Sequence, residues 1–224
     1  LSAPLAGVPR VVARGQGGLL DVALSPSFEA DRQVYLSFAE PADGGARTAV
    51  ARATLAEEGL RETTVIFRQK QARAGANHFG SRLVLTRDGH LFITMGDRYD
   101  ARDQVQDLGT HFGKIVRVRT DGTVPPDNPF VNTARALPDI WSFGHRNVQG
   151  AALHPGTGRL WAHEHGAMGG DEVNVVLAGR NYGWPVITHG VDYSGAKIGE
   201  GSAKAGMEQP QHVWVPSIAP SGMA

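Results

Sequence analysis

Residues 19–38 decide the fold. Leu19–Leu24 (LLDVAL) leads into the turn segment Ser25–Ser27 (SPS), and Val34–Phe38 (VYLSF) follows. Both apolar runs are short and rich in the aliphatic and aromatic residues that favour β-strands. Ser and Pro between them are turn-forming residues. The stretch therefore predicts a pair of strands joined by a turn.

The same arrangement occurs twice more along the chain. The two further copies are Arg82–Leu85 with Leu91–Thr94 and Gly150–Leu153 with Leu160–Ala162. A third strand is predicted after each pair, over Thr48–Leu55, Lys114–Arg119 and Glu172–Leu177. Repeats of three or four strands are typical of β-propeller blades. An ordinary β-sandwich is the alternative, but the anchors Tyr35, Phe92 and Trp161 recur in phase with the turns, which favours the propeller.

The end of the chain resembles another copy of the repeat. Gly222–Ala224 (GMA) is similar to Gly150–Ala152 (GAA), where an inner strand begins. We therefore expect residues 1–224 to form one β-propeller domain with an incomplete set of blades. A propeller closes its ring to remove free sheet edges. A segment of this kind is expected to be inactive when it is produced alone.

Composition narrows the class of partner. Lys plus Arg and Asp plus Glu both number 22, and the formal net charge of zero gives no support to nucleic-acid binding. The absence of cysteine excludes thiolate catalysis, disulfides and Cys-ligated zinc in this sequence. It also fits an oxidising compartment, so we expect a periplasmic or secreted protein. No apolar run reaches the roughly 18 residues of a membrane helix, and no membrane insertion is expected.

Three polar residues hold equivalent positions in the repeats, seven or eight residues before the last leucine of the first strand. They are Gln16, His78 and Arg146. In a propeller the first strand of each blade lines the central channel. We predict that the three lie on the inner strands of consecutive blades and face one opening, as a polar ligand site. A turn role for Gln16 and a structural ion pair for Arg146 are the alternatives.

Metal binding is predicted only weakly by residue spacing. His163 and His165 would share one face of a strand, but Glu164 would then point away, and no third zinc ligand is suitably spaced. The loop Gly166–Gly170 is able to supply carbonyl oxygens, which calcium accepts as ligands. For Asn181–Pro185 (NYGWP), a packed turn is favoured over a sugar-stacking platform, because Gly and Pro fix its shape.

Six sequence motifs follow one another over almost the whole chain. They are Gly15–Asp21 (GQGGLLD), Asn77–Leu83 (NHFGSRL), Gly113–Arg117 (GKIVR) with Pro126–Phe130 (PDNPF), Gly144–Gly150 (GHRNVQG), Glu164–Gly166 (EHG) with Gly169–Asn174 (GGDEVN), and Asn181–Pro185 (NYGWP). In this order they resemble the soluble, pyrroloquinoline-quinone-dependent aldose sugar dehydrogenases, relatives of soluble glucose dehydrogenase. The resemblance implies a six-bladed β-propeller with the quinone at the channel mouth, truncated here at both ends relative to the family.

The resemblance also implies roles for individual residues. His78 resembles the general base that takes the proton from the anomeric hydroxyl, while the anomeric hydride passes to pyrroloquinoline quinone. Arg146 and Asn147 resemble the donors that face the quinone oxygens, where negative charge develops, which makes Arg146 catalytic as well as cofactor-binding. Gly166 and Ala167 resemble the pair whose carbonyls hold calcium.

The remaining positions concern the sugar and the cofactor surroundings. By resemblance, Gln16 and Asn77 contact the sugar together with the base, and Gln149 and His165 are cofactor neighbours. Soluble glucose dehydrogenases have Asp, Gln and Pro where this chain has Asn77, His165 and Ala167. These departures favour a broader aldose preference over strict glucose specificity. An external electron acceptor is implied as a further partner.

Two other classes of function compete with this hypothesis. A calcium-dependent propeller hydrolase, such as a lactonase, needs carboxylates and amides around a central calcium ion. The equivalent positions in this sequence carry Gln, His and Arg instead. A non-catalytic propeller that binds sugar or protein would have no need for a base in register with Arg146.

Overall fold

The computed structural model describes residues 4–224, and these residues are built from β-strands. Twelve strands form three four-stranded antiparallel sheets in which consecutive strands are neighbours. The first sheet contains β1 (Leu19–Leu24), β2 (Gln33–Ala42), β3 (Gly45–Ala56) and β4 (Gly59–Arg68). The second contains β5 (Leu83–Leu85), β6 (His90–Thr94), β7 (Lys114–Arg119) and β8 (Ile140–Phe143). The third contains β9 (Val148–Leu153), β10 (Leu160–Glu164), β11 (Asp171–Val176) and β12 (His212–Trp214).

Helical structure in the described part of the chain is limited to α1 (Phe28–Asp31) and one 3₁₀ turn (Arg102–Gln104). Neither has the length and apolar character needed to cross a membrane. The three strand pairs predicted from the sequence, and the strand predicted after each pair, are confirmed. Each sheet has a fourth strand that the sequence pattern did not single out. β8 and β12 are too short for a clear pattern, and β4 carries mainly polar residues in its first half.

The first strands of the three sheets lie side by side, because β1 contacts β5 and β5 contacts β9. Apolar side chains fill the space between neighbouring sheets. Tyr35 and Val50 of the first sheet pack with Leu91 of the second, and Phe92 of the second packs with Leu160 of the third. Sheets that pack face to face around a row of inner strands are consistent with neighbouring propeller blades.

Strand β1 exposes more apolar surface than the other two inner strands, β5 and β9. Leu19, Val22 and Leu24 are about half exposed, at 48%, 54% and 53%. Gly222–Ala224 forms no strand, so the prediction of a further inner strand there is wrong for this structure. The physical reason is the lack of a hydrogen-bonded neighbour, since a strand exists only through its pairing. The adjacent carbonyl of Ser221 instead accepts a hydrogen bond from the Arg82 guanidinium at 3.1 Å.

Candidate active site

The three in-phase polar residues lie just before the inner strands. Gln16 precedes β1, His78 precedes β5 and Arg146 precedes β9. The prediction that they lie on the strands themselves is therefore wrong. His78 has a φ of +50°, a left-handed conformation that strand pairing does not accommodate. The segments that carry these side chains are turns at one end of the sheets.

His78 belongs to a buried hydrogen-bond network. Its Nδ1 lies 2.7 Å from Oδ1 of Asp97. Asp97 also accepts hydrogen bonds from the backbone N–H of Tyr99 at 2.8 Å and from Nε1–H of Trp184 at 2.9 Å. The backbone N–H of His78 donates to Oε1 of Gln16 at 2.7 Å. The carboxylate favours the tautomer with a proton on Nδ1, which leaves Nε2 as the nitrogen able to accept a proton.

Arg146 is a buried cation with neutral partners. It is 4% exposed, and its guanidinium donates to the carbonyl oxygens of His165 at 3.0 Å and of Gly166. It also contacts the Tyr193 hydroxyl at 3.4 Å and lies 5.4 Å from the ring centroid of Trp184. No carboxylate in residues 4–224 forms an ion pair with it. A buried cation without an acidic partner favours an anion in the adjacent space.

His78 and Arg146 line the same cavity, which has a volume of about 450 Å³. The prediction that these two residues face a common opening is confirmed. Aromatic side chains and carboxylates complete the wall, and they include Tyr99, Trp184, Tyr193, Asp97, Asp100, Asp103 and Asp192. A cavity of this size with a few convergent polar groups is suited to a small polar ligand.

A second cavity has a volume of about 260 Å³. Gln16, Asn147, Gln149 and His165 line it, so it collects most of the other residues predicted from the sequence. Gln16 therefore does not share the opening of His78 and Arg146, and that part of the prediction is wrong. Its side-chain oxygen is taken by the His78 backbone N–H, which explains the difference. Asn147 and Gln149 are joined by a side-chain hydrogen bond of 3.0 Å.

Asn77 lies outside both cavities. Its side chain is exposed, although it precedes His78 directly. The backbone of His78 is left-handed, and the predicted sugar contact by Asn77 stays a prediction. The backbone oxygen of Asn77 accepts a hydrogen bond from Arg98 at 3.0 Å. Asn77 therefore takes part in the site through its backbone.

The prediction that the Gly166 and Ala167 carbonyls hold calcium stays a prediction. Ala167 is buried and lines the larger cavity, but the Gly166 carbonyl accepts a hydrogen bond from Arg146. A carbonyl oxygen has two lone pairs, so this hydrogen bond leaves one of them for a second partner. The nearby Asp171 carboxylate is engaged by Gly166 N–H at 2.9 Å and by Ser217 Oγ–H at 2.6 Å. Over residues 4–224, no group of three or more His, Asp and Glu side chains is placed to hold a metal, a finding that does not concern carbonyl ligands.

Arg98 fixes the two segments that carry the His78–Asp97 pair. It is 1% exposed and donates to the backbone oxygens of Asn77, Ala46 and Gly75. Its guanidinium lies 3.7 Å from the ring centroid of Phe79. Burial lowers the pKa of Arg98 to about 10, which leaves it charged near neutral pH. A charged group that is buried in this way ties the surrounding backbone to one geometry.

Lys114, at the beginning of β7, anchors the loop that follows Asp97. Its Nζ donates to the carbonyl oxygens of Val105 and Phe112, both at 2.7 Å. Burial lowers the pKa of Lys114 to about 7, and the carboxylate of Asp107 opposes this effect in part. The buried amine of Lys114 therefore ties two backbone positions of this loop to the beginning of β7.

Sequence reasoning missed Asp97 and Tyr99, and it assigned Trp184 only to a packed turn. Asp97 follows β6, and no sequence spacing relates it to His78. The position of a carboxylate shortly after a strand was the one feature of the sequence that could have indicated its role. For Trp184, the expected packed turn is confirmed, since Tyr182 and Trp184 are both buried. The contact of Trp184 with Asp97 and its place in the cavity wall depend on the tertiary structure.

Comparison with known proteins agrees with this geometry. The family model described as glucose/sorbosone dehydrogenase matches residues 1–224. The chain belongs to this family. It is 48% identical over 229 residues to the aldose sugar dehydrogenase YliI of Escherichia coli (strain K12), covering 100% of this chain and 62% of that protein.

Solved structures show the same relationship. A crystal structure of a glucose dehydrogenase is 50% identical with a TM-score of 0.96, over 99% of this chain and 65% of that one. The PQQ-bound form of an aldose sugar dehydrogenase from Streptomyces coelicolor is 33% identical with a TM-score of 0.77, over 97% of this chain and 60% of that one. The chain thus spans less than two-thirds of each of these proteins.

Proposed function

We propose that this chain carries the catalytic base of a pyrroloquinoline-quinone-dependent enzyme that oxidises the anomeric hydroxyl of aldose sugars to lactones. One observation carries the proposal: a histidine–carboxylate pair and a buried arginine that forms no ion pair among the described residues line the same cavity. A base next to a fixed cation suits a reaction in which a proton leaves the substrate while negative charge develops nearby. Membership of the sugar dehydrogenase family supports the same reaction class.

The donors of this site fit an anionic quinone. Arg146 is buried and forms no ion pair within residues 4–224, and Asn147, Gln149 and His165 line the second cavity. These four residues would hold the cofactor. When it is bound, pyrroloquinoline quinone supplies a two-electron acceptor for the anomeric hydride. The PQQ-bound Streptomyces relative supports this choice of cofactor.

The chain's own groups handle the proton. Nε2 of His78 accepts the hydroxyl proton as the anomeric C–O bond becomes a carbonyl. Asp97 keeps the proton on Nδ1 and compensates the positive charge that the ring acquires. The indole N–H of Trp184 and the backbone N–H of Tyr99 fix that carboxylate, and Gln16 fixes the backbone of the base. No step is assigned to calcium.

The proposal also covers the fold, the cellular location and the electron acceptor. We place the three sheets in a six-bladed β-propeller, which the row of inner strands supports. A periplasmic or secreted location is supported by the cysteine-free sequence. Electrons leave the site to an external acceptor.

The test is reconstitution of the full-length protein with pyrroloquinoline quinone, followed by dye-coupled oxidation of a panel of aldoses. We expect sugar-dependent dye reduction and formation of the lactone. Hydrolysis of lactones without dye reduction would instead establish the hydrolase alternative. Sugar binding without turnover, in protein that has bound the quinone, would establish a non-catalytic propeller.

A further inference from the structure

Two consecutive residues beside the base have strained backbones. Arg98 and Tyr99 have φ values of +56° and +68°, in the left-handed region that side chains other than glycine rarely adopt. The surrounding structure enforces this conformation. Arg98 is buried among three backbone carbonyls, and the Tyr99 N–H donates to Asp97 at 2.8 Å. Such strain persists only where other contacts determine the backbone, and it is concentrated at functional sites.

The strained turn keeps an aromatic ring exposed at the cavity. Tyr99 is 52% exposed and lines the cavity that contains His78. Its ring centroid lies 5.4 Å from that of His78, with an interplanar angle of 80°. A tyrosine in this position buries little of its apolar surface, so folding stability does not account for the strained conformation. The ring is left available to a ligand that reaches the base.

The rest of the cavity wall indicates the chemistry of that ligand. Tyr193 is 59% exposed and lies next to Arg146, and the carboxylates of Asp100, Asp103 and Asp192 line the same wall. An aromatic ring accepts the C–H face of a sugar, while carboxylates accept hydrogen bonds from hydroxyl groups. The arrangement suits a small molecule with one apolar face and several hydroxyls.

We propose that Tyr99 is a sugar-binding residue that helps to determine specificity, with its ring packed against the pyranose whose anomeric hydroxyl meets His78. This inference rests on the proposed function. It assigns Tyr99 to binding of the sugar ring and leaves proton transfer to the His78–Asp97 pair. Because the ring of Tyr99 touches both ground state and transition state, its loss weakens binding more than turnover.

The experiment compares Tyr99→Gly with Tyr99→Phe in the quinone-loaded, full-length enzyme. Glycine accepts a positive φ, so Tyr99→Gly removes the ring without adding backbone strain. We expect the KM for an aldose to rise about tenfold in Tyr99→Gly, with kcat within threefold of wild type. Tyr99→Phe keeps the ring and is expected to keep the KM within twofold. Phe28→Ala, which removes a ring from α1 outside both cavities, is the matched control.

The outcomes separate this inference from the proposed function. If the wild-type enzyme binds quinone but oxidises no aldose, the proposed function fails and this inference fails with it. If wild type oxidises aldoses and Tyr99→Gly has an unchanged KM, only the role of Tyr99 is wrong. A large fall in kcat with an altered pH profile and an unchanged KM would instead make Tyr99 a positioning residue for His78. Equal Tm values for the variants exclude loss of fold as the cause of a KM change.

Discussion

Two histidines of this chain each have a carboxylate at Nδ1, but their surroundings are very different. Nδ1 of His78 lies 2.7 Å from Asp97, and Nδ1 of His145 lies 2.9 Å from Glu164. Nε2 of His78 has no protein partner among the described residues and belongs to the wall of the larger cavity. Nε2 of His145 lies 2.9 Å from Oγ of Ser142. The Nε2 atom of His78 is therefore available to a ligand, whereas both ring nitrogens of His145 already have protein partners.

The buried pair shows that side-chain geometry alone does not make an active site. Ser142, His145 and Glu164 have the order of contacts of a hydrolytic triad. Ser142 and His145 are both 0% exposed, and the His145 ring stacks on Tyr182 at 4.7 Å. No substrate reaches the serine, so the hydrolase alternative gains nothing from this cluster. Access to a cavity is what separates the catalytic candidate from the structural one.

The largest expected effect concerns the open pair. His78→Ala removes the base, and we expect kcat to fall by roughly 10²- to 10⁴-fold. Quinone binding, measured by absorbance titration, is expected to remain, because Arg146 and Asn147 are unchanged. Turnover close to wild type in this variant would rule out His78 as the base.

The next effect concerns the buried pair. His145→Phe keeps the stacked ring but removes both hydrogen bonds, including the one to a buried carboxylate, so we expect the free energy of unfolding to fall by about 2–3 kcal/mol. The kcat of the folded protein is expected to stay within a few-fold of wild type. Urea unfolding and active-site-normalised kinetics measure the two quantities. The matched control is His212→Phe, an exposed position expected to change stability by less than about 0.5 kcal/mol. Loss of activity without loss of stability in His145→Phe would contradict the comparison.

The smallest effect is a pH dependence at the loop that carries Asp97. Lys114 has a pKa of about 7 in the folded protein against 10.5 ordinarily, so between these values the unfolded chain binds more protons. The free energy of unfolding therefore rises with pH in this window, by about 1 kcal/mol per pH unit. In Lys114→Met this contribution is absent, whereas the exposed control Lys70→Met retains it. Urea unfolding at pH 7.5 and 8.5 measures the difference, and an equal slope in Lys114→Met and wild type would refute the assignment.

Much of the candidate site follows from the repeat pattern. His78 and Arg146 hold the same position in successive repeats, and the structure places both on one cavity. Gln16 holds the equivalent position but lines the second cavity, because its side-chain oxygen accepts a hydrogen bond from the His78 backbone. The phase of a repeat predicts the end of the sheet at which a residue lies. It does not predict the hydrogen bond that its side chain makes there.

The sequence by itself determined the three strand pairs, the turns between them and the shared end of the sheets for the polar residues. These features depend on local preferences: alternating strand geometry, turn-forming residues and a repeated spacing. Only the tertiary structure decided the partners of the base. Asp97 is 19 residues from His78, and Trp184 is 87 residues from Asp97. Those contacts depend on left-handed turns at residues other than glycine and on a buried arginine, and neither leaves a pattern in the order of the amino acids.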